Sequence, residues 1–178
     1  APIDVTVADV NRDGILDVVT ADENEDAVTI RFGDGSGGVA WQRRLPVGDE
    51  PVAVEVADLD RDGHPDLAIG APMSDAGGHD AGRVYLFSGA SPRHRNATLD
   101  AADATITGAA AADLFGWSVA GVGDLDGDGH DDLAIGALSH REGDGSGAVY
   151  LYFGPLPLLG ESLAAEAADV VIAGEHLN

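Results

Sequence analysis

The chain has 178 residues, 44% apolar but only 5% aromatic, with 25 glycines, eight prolines and no cysteine. Thirty-two acidic residues against nine basic ones give a formal charge of −23, which argues against nucleic acid or anionic lipid held on a basic surface. Without cysteine there is neither a disulfide framework nor a thiolate metal site, and no apolar run reaches the ~20 residues of a membrane span.

The predicted elements are short strands. Ile3, Val5 and Val7 alternate with Asp4 and Thr6, the period-two signal of a half-buried strand. Strands follow at 15–20, 27–32 and 39–45, with Gly-Asp-Gly-Ser-Gly-Gly as the turn before the last. A second group is expected at 52–57, 66–71, 83–88 and 103–107, and a third at 117–122, 132–137, 148–153 and 169–173. Only 156–168 reads as room for a helical turn.

Three segments align: PIDVTVADVNRDGILDVVTA (2–21), PVAVEVADLDRDGHPDLAIGA (51–71) and GWSVAGVGDLDGDGHDDLAIGA (116–137). They divide the chain into repeats 1–50, 51–115 and 116–178. Four strands per repeat at this period predict an all-β chain of β-propeller blades: three four-stranded antiparallel units. Such a set does not readily close a ring, so flanking blades or self-association through an open edge are expected.

Each repeat carries one acidic loop of the form D-x-[DN]-x-D-G-x-x-D. The loops are Asp9, Asn11, Asp13, Asp17; Asp58, Asp60, Asp62, Asp66; and Asp124, Asp126, Asp128, Asp132. Oxygens on alternate residues of a tight loop converge on one hard cation, and the glycine after the third ligand allows the sharp turn. The main-chain carbonyls of Ile15, His64 and His130 add a further oxygen to each set. Carboxylate and carbonyl oxygens in a flexible loop suit Ca²⁺ better than Mg²⁺, so about three Ca²⁺ ions are expected, one per repeat. An EF-hand is rejected, because Thr20, Ile69 and Ile135 stand where its twelfth-position Glu belongs and the flanks are strands. Eleven carboxylates in three loops oppose folding at neutral pH unless a cation joins them.

These features resemble the integrin-α-type FG-GAP repeats and the related bacterial VCBS-type repeats. The third repeat carries Phe115-Gly116, the acidic loop and Gly136-Ala137; the second has Ala-Ile-Gly-Ala-Pro (68–72) but Pro51-Val52 in place of Phe-Gly. The first looks more like the VCBS variety. The resemblance implies a propeller with calcium loops joining the first two strands of each blade, in a family that is chiefly extracellular. All nine basic residues are Arg, which with abundant Ala, Gly and Asp points to a GC-rich bacterial genome.

Other features are read as structural. His79 near Asp75 and Asp80 belongs to a solvated loop, Ser118 to a strand, and Trp41, Trp117, Tyr85, Tyr150 and Tyr152 to strand packing. Carboxylates on alternate residues of one loop favour chelation over glycoside hydrolysis. The expected function is therefore non-enzymatic: a calcium-binding module at the cell surface or outside the cell, serving adhesion or a protein or glycan ligand. The alternatives are an accessory propeller of a secreted hydrolase and a structural module assembling through blade edges.

Overall fold

The computed structural model describes residues 1–90, 102–139, 146–158, 160 and 162–174. The first sheet takes β1 (Pro2–Ala8), β2 (Asp17–Asp22), β3 (Ala27–Gly33) and β4 (Val39–Pro46) in chain order, all antiparallel. The second begins with β5 (Ala53–Ala57), β6 (Asp66–Ala71), β7 (Arg83–Phe87) and β8 (Ala104–Thr107). The third is β9 (Phe115–Gly123), β10 (Asp132–Ala137), β11 (Ala148–Tyr152) and β13 (Val170–Ala173). These are the expected meandering blades, with the four strands of each blade pairing in chain order.

One strand was not expected. Within 156–168, Ser162–Ala164 forms β12, which leaves its own repeat and pairs parallel with β8, so the second sheet has five strands. The expected helical turn shrinks to a single 3-10 turn, Ala165–Ala167. The excursion is anchored by burial: Leu156, Leu158 and Ala165 are at most 4% exposed, and the Tyr152 hydroxyl donates to the Ala165 carbonyl at 3.1 Å.

The blades stack face to face with their leading strands side by side, β5 lying against both β1 and β9. Two apolar clusters fill the spaces between them. Val19, Val28, Ile30 and Leu45 of the first sheet meet Val54, Leu67, Ile69 and Phe87 of the second. Val84, Leu86 and Ile106 of the second meet Leu133, Ile135 and Tyr150 of the third. The core is thus interfacial: each sheet covers its neighbour.

The alternation in β1 is real but its sense is reversed. Ile3, Val5 and Val7 are 48%, 59% and 54% exposed. Asp4 points inward instead, and its carboxylate accepts the Val54 main-chain N–H at 2.9 Å.

At the junction of the second and third blades, Gly70 meets Gly116 so closely that a Cβ on Gly70 would lie 2.0 Å from the Gly116 carbonyl oxygen. Gly116 has a φ of +88°, which lets β9 turn in at this point. Phe115 beside it is 1% exposed and meets Tyr150 edge-on, with centroids 5.2 Å apart.

Candidate metal centres

The three acidic loops join the first and second strands of their sheets and share one hydrogen-bond pattern. The first carboxylate of each loop (Asp9, Asp58, Asp124) accepts the N–H of the glycine five residues on, at 2.8, 3.1 and 2.9 Å. The third position (Asn11, Asp60, Asp126) accepts the N–H two residues later at 2.9 to 3.1 Å. The fifth (Asp13, Asp62, Asp128) accepts the N–H of Ile15, His64 or His130 at 2.7 to 2.8 Å. Main-chain donors thus turn every carboxylate into the loop, and Gly14, Gly63 and Gly129, at φ of +85°, +82° and +90°, supply the bend.

The ninth position behaves differently. Asp17, Asp66 and Asp132 are wholly buried. One oxygen of each accepts the N–H of the loop's second residue: Val10 at 3.0 Å, Leu59 at 2.7 Å and Leu125 at 2.7 Å. The other accepts an N–H just beyond or at the end of the third strand: Gly33 at 3.0 Å, Gly89 at 2.8 Å and Gly154 at 2.9 Å. Burial pushes the Asp66 carboxyl up to about 7; its two N–H donors pull the other way, and the charges of Asp60 and Asp62 add to the rise.

The donor set fits a hard cation. One carboxylate oxygen from each of Asp58, Asp60 and Asp62 lies within 4.8 Å of the others, and the same holds for Asp124, Asp126 and Asp128. Asp58 Oδ1 is buried and has no hydrogen-bond partner, an oxygen for which the protein itself supplies no counter-charge. In the first loop Asn11 replaces one carboxylate, and its amide nitrogen donates to Asp13 Oδ2 at 2.9 Å.

The loops also touch one another through their fourth residues. Arg12 of the first loop donates from Nη1 to His64 Nε2 of the second at 3.3 Å. Arg61 of the second lies against Gly129 of the third, its Nη1 2.7 Å from where a Cβ would stand.

The FG-GAP-like repeat family matches residues 5–69, and the FG-GAP repeat family matches residues 115–152. Together these matches take in all three acidic loops. The chain is built of integrin-alpha-type FG-GAP repeats. It is 35% identical to integrin alpha-6 of Gallus gallus over 153 residues, 76% of this chain and 13% of that protein. It is 30% identical to integrin alpha pat-2 of Caenorhabditis briggsae over 199 aligned positions, 98% of this chain and 16% of that protein. With integrin alpha-IIb of Homo sapiens it shares 37% identity over 107 residues, 57% of this chain and 10% of that protein. The chain therefore spans well under a fifth of the relatives it matches.

In these FG-GAP repeats the Phe-Gly pair opens β9 and seats on the Gly-Ala-Pro segment of the preceding blade, as the Gly70–Gly116 contact shows. Sequence reading had grouped the four side chains of each loop as equivalent. The structure separates three that face the loop from a fourth that also braces the sheet. Two further braces escaped it. Asp103 and Asp169, each just before or opening onto a last strand, accept the N–H of Ser88 at 2.9 Å and of Phe153 at 2.7 Å. Their recurrence one residue ahead of β8 and β13 is the signal that marks them.

Asp75, His79 and Asp80 also come together in the β6–β7 loop. His79 Nδ1 lies 2.9 Å from Asp80 Oδ2, on a side chain 82% exposed, which agrees with a solvated loop. No helix among the described residues is long and apolar enough to cross a membrane.

Proposed function

We propose that the chain is a calcium-binding β-propeller segment, non-enzymatic, that presents a rigid surface outside the cell or at its surface for adhesion or for a protein or glycan ligand. Each repeat (1–50, 51–115 and 116–178) contributes one ion. The first would be held by Asp9, Asn11, Asp13, Asp17 and the Ile15 carbonyl, the second by Asp58, Asp60, Asp62, Asp66 and the His64 carbonyl. Asp124, Asp126, Asp128, Asp132 and the His130 carbonyl would hold the third.

The observation that carries this reading is the unpaired, buried Asp58 Oδ1 within a cluster of three converging carboxylates. When bound, Ca²⁺ supplies only positive charge and coordination. The residues do the rest: they hold a strand-joining loop in one shape and tie it to the end of the third strand. Loose oxygen-rich sites of this sort suit the millimolar calcium found outside cells. Equilibrium dialysis against radioactive calcium tests the reading, with about three ions per chain expected. No uptake at millimolar calcium overturns it.

An apolar face favours further blades beside the third. Ala134, Gly136, Val149, Leu151 and Ile172 repeat, register for register, Ala68, Gly70, Val84, Leu86 and Ile106 of the second blade. In the second blade Val84 and Ile106 are fully covered, whereas Val149 and Ile172 stand 39% and 57% exposed.

A further inference from the structure

Each acidic loop holds its fourth residue in the left-handed region: Arg12 at a φ of +62°, Arg61 at +59° and Gly127 at +84°. In two of the three that residue is an arginine, although the chain has only nine basic residues against 32 acidic ones. Both side chains reach across a blade seam to the next loop. Arg12 donates from Nη1 to His64 Nε2 of the second loop at 3.3 Å. The Arg61 guanidinium lies over Gly129 of the third, with Nη1, Cζ and Nη2 2.7, 3.2 and 3.3 Å from where a Cβ would stand. Neither forms an ion pair with a carboxylate among the described residues.

Both arginines land on residues that shape the next cluster of carboxylates. The His64 N–H donates to Asp62 Oδ1 at 2.7 Å, and the Gly129 N–H donates to Asp124 Oδ2 at 2.9 Å. A positive charge is thus held beside the Asp58, Asp60, Asp62 cluster and another beside the Asp124, Asp126, Asp128 cluster. Such a charge relieves the mutual repulsion of converging carboxylates and repels a divalent ion entering the same place. Gly127, having no side chain, sends no charge onward from the third loop.

We infer that Arg12 and Arg61 set calcium affinity across the blade seams. Each stands in part for the ion of the next loop, so the second and third sites bind calcium more weakly than their carboxylates alone would. The inference rests on the calcium reading of the three loops. An arginine that merely packs against its neighbour has the opposite sign, because its removal would loosen the loop and weaken binding.

The N–H groups of Gly14, Gly63 and Gly129 each donate to the first carboxylate of their own loop, so ¹⁵N-glycine labelling reports the three sites separately. Calcium is titrated into the chain at low salt. In Arg61→Gln the Gly129 signal is expected to reach its midpoint at about threefold lower calcium, while Gly14, two blades away, keeps its own. Arg61→Lys keeps the charge and restores the native midpoint. In about 1 M NaCl, where the Debye length is about 3 Å, the gain disappears. Arg12→Gln likewise tightens the Gly63 titration and leaves Gly129 in place. An unchanged or weakened Gly129 midpoint in Arg61→Gln, a gain confined to Gly63, or a gain that survives high salt overturns the assignment. If no glycine titrates at millimolar calcium, the calcium reading fails and the inference falls with it, whereas titration indifferent to both arginines overturns the inference alone.

Discussion

Asp66 and Gly89 are 23 residues apart, yet the carboxylate of the first accepts the main-chain N–H of the second at 2.8 Å. Its other oxygen takes the Leu59 N–H at 2.7 Å, so one buried side chain closes the loop and fastens it to the end of β7. Asp66→Ala deprives two main-chain donors of their acceptor and is expected to cost about 2–5 kcal/mol, read by urea unfolding in saturating calcium. A loss as small as that of an exposed Asp62→Ala variant would show that the brace is dispensable.

Removing calcium is expected to destabilise the chain. Ligand that binds only the folded state adds about 2.7 kcal/mol per site at a hundredfold excess over Kd. A chelator therefore lowers Tm, and added calcium restores it in a saturable way. Asp124→Ala removes one ion of about three and reduces the calcium-dependent rise in Tm without abolishing it. A Tm indifferent to chelator contradicts the metal reading.

Blade contact makes two equivalent glycines behave differently. A Cβ on Gly70 would stand 2.0 Å from the Gly116 carbonyl oxygen, which is main chain and has nowhere to go. A Cβ on Gly136 would meet the Ser118 hydroxyl at 2.4 Å, an exposed side chain that can turn away. Gly70→Ala is expected to cost about 2 kcal/mol or more and Gly136→Ala under about 1 kcal/mol, by the same denaturant measurement.

The strand pattern was largely legible because hydrogen bonding between sequence neighbours leaves a local trace: alternation, a turn, alternation again. The acidic loops were legible for the same reason, with oxygen-bearing side chains two residues apart. What did not show was long-range. β12 is three residues, Ser162–Ala164, whose partner lies 57 residues earlier, and no periodicity marks so short a parallel pair. The outward face of Val5 and Val7 depends on which side the second blade stacks, which alternation cannot state. Burial of Asp17, Asp66 and Asp132 is likewise invisible in a motif that gives all its acidic positions equal standing. Trp41 was read as strand packing, and it does stack on Phe32; its exposure arises because the neighbouring blade does not close over it.

Glu55 gives the fold a pH dependence. Burial raises its carboxyl above the ordinary value; the Gly121 N–H lowers it and the Asp4 charge raises it further. A carboxyl whose folded pKa exceeds its unfolded one contributes stability that is present below pH 4 and lost as pH rises through the folded value. Glu55→Gln should therefore raise Tm at pH 7 and have no benefit at pH 4, with a gain of up to about 1 kcal/mol after allowing for solvent screening. A larger benefit at pH 4 than at pH 7 reverses the assignment.

The excursion of β12 onto β8 bears on how the chain responds to tension. Pulled from the end that follows β13, the third blade does not peel from the second by parting side chains alone. Main-chain hydrogen bonds between Ser162–Ala164 and Thr105–Thr107 must also shear. The first blade has no such strand crossing to its neighbour among the described residues, and meets it through side chains and the Asp4–Val54 bond. The second and third blades are latched as a pair by main-chain bonds that, among the described residues, the seam between the first and second blades lacks.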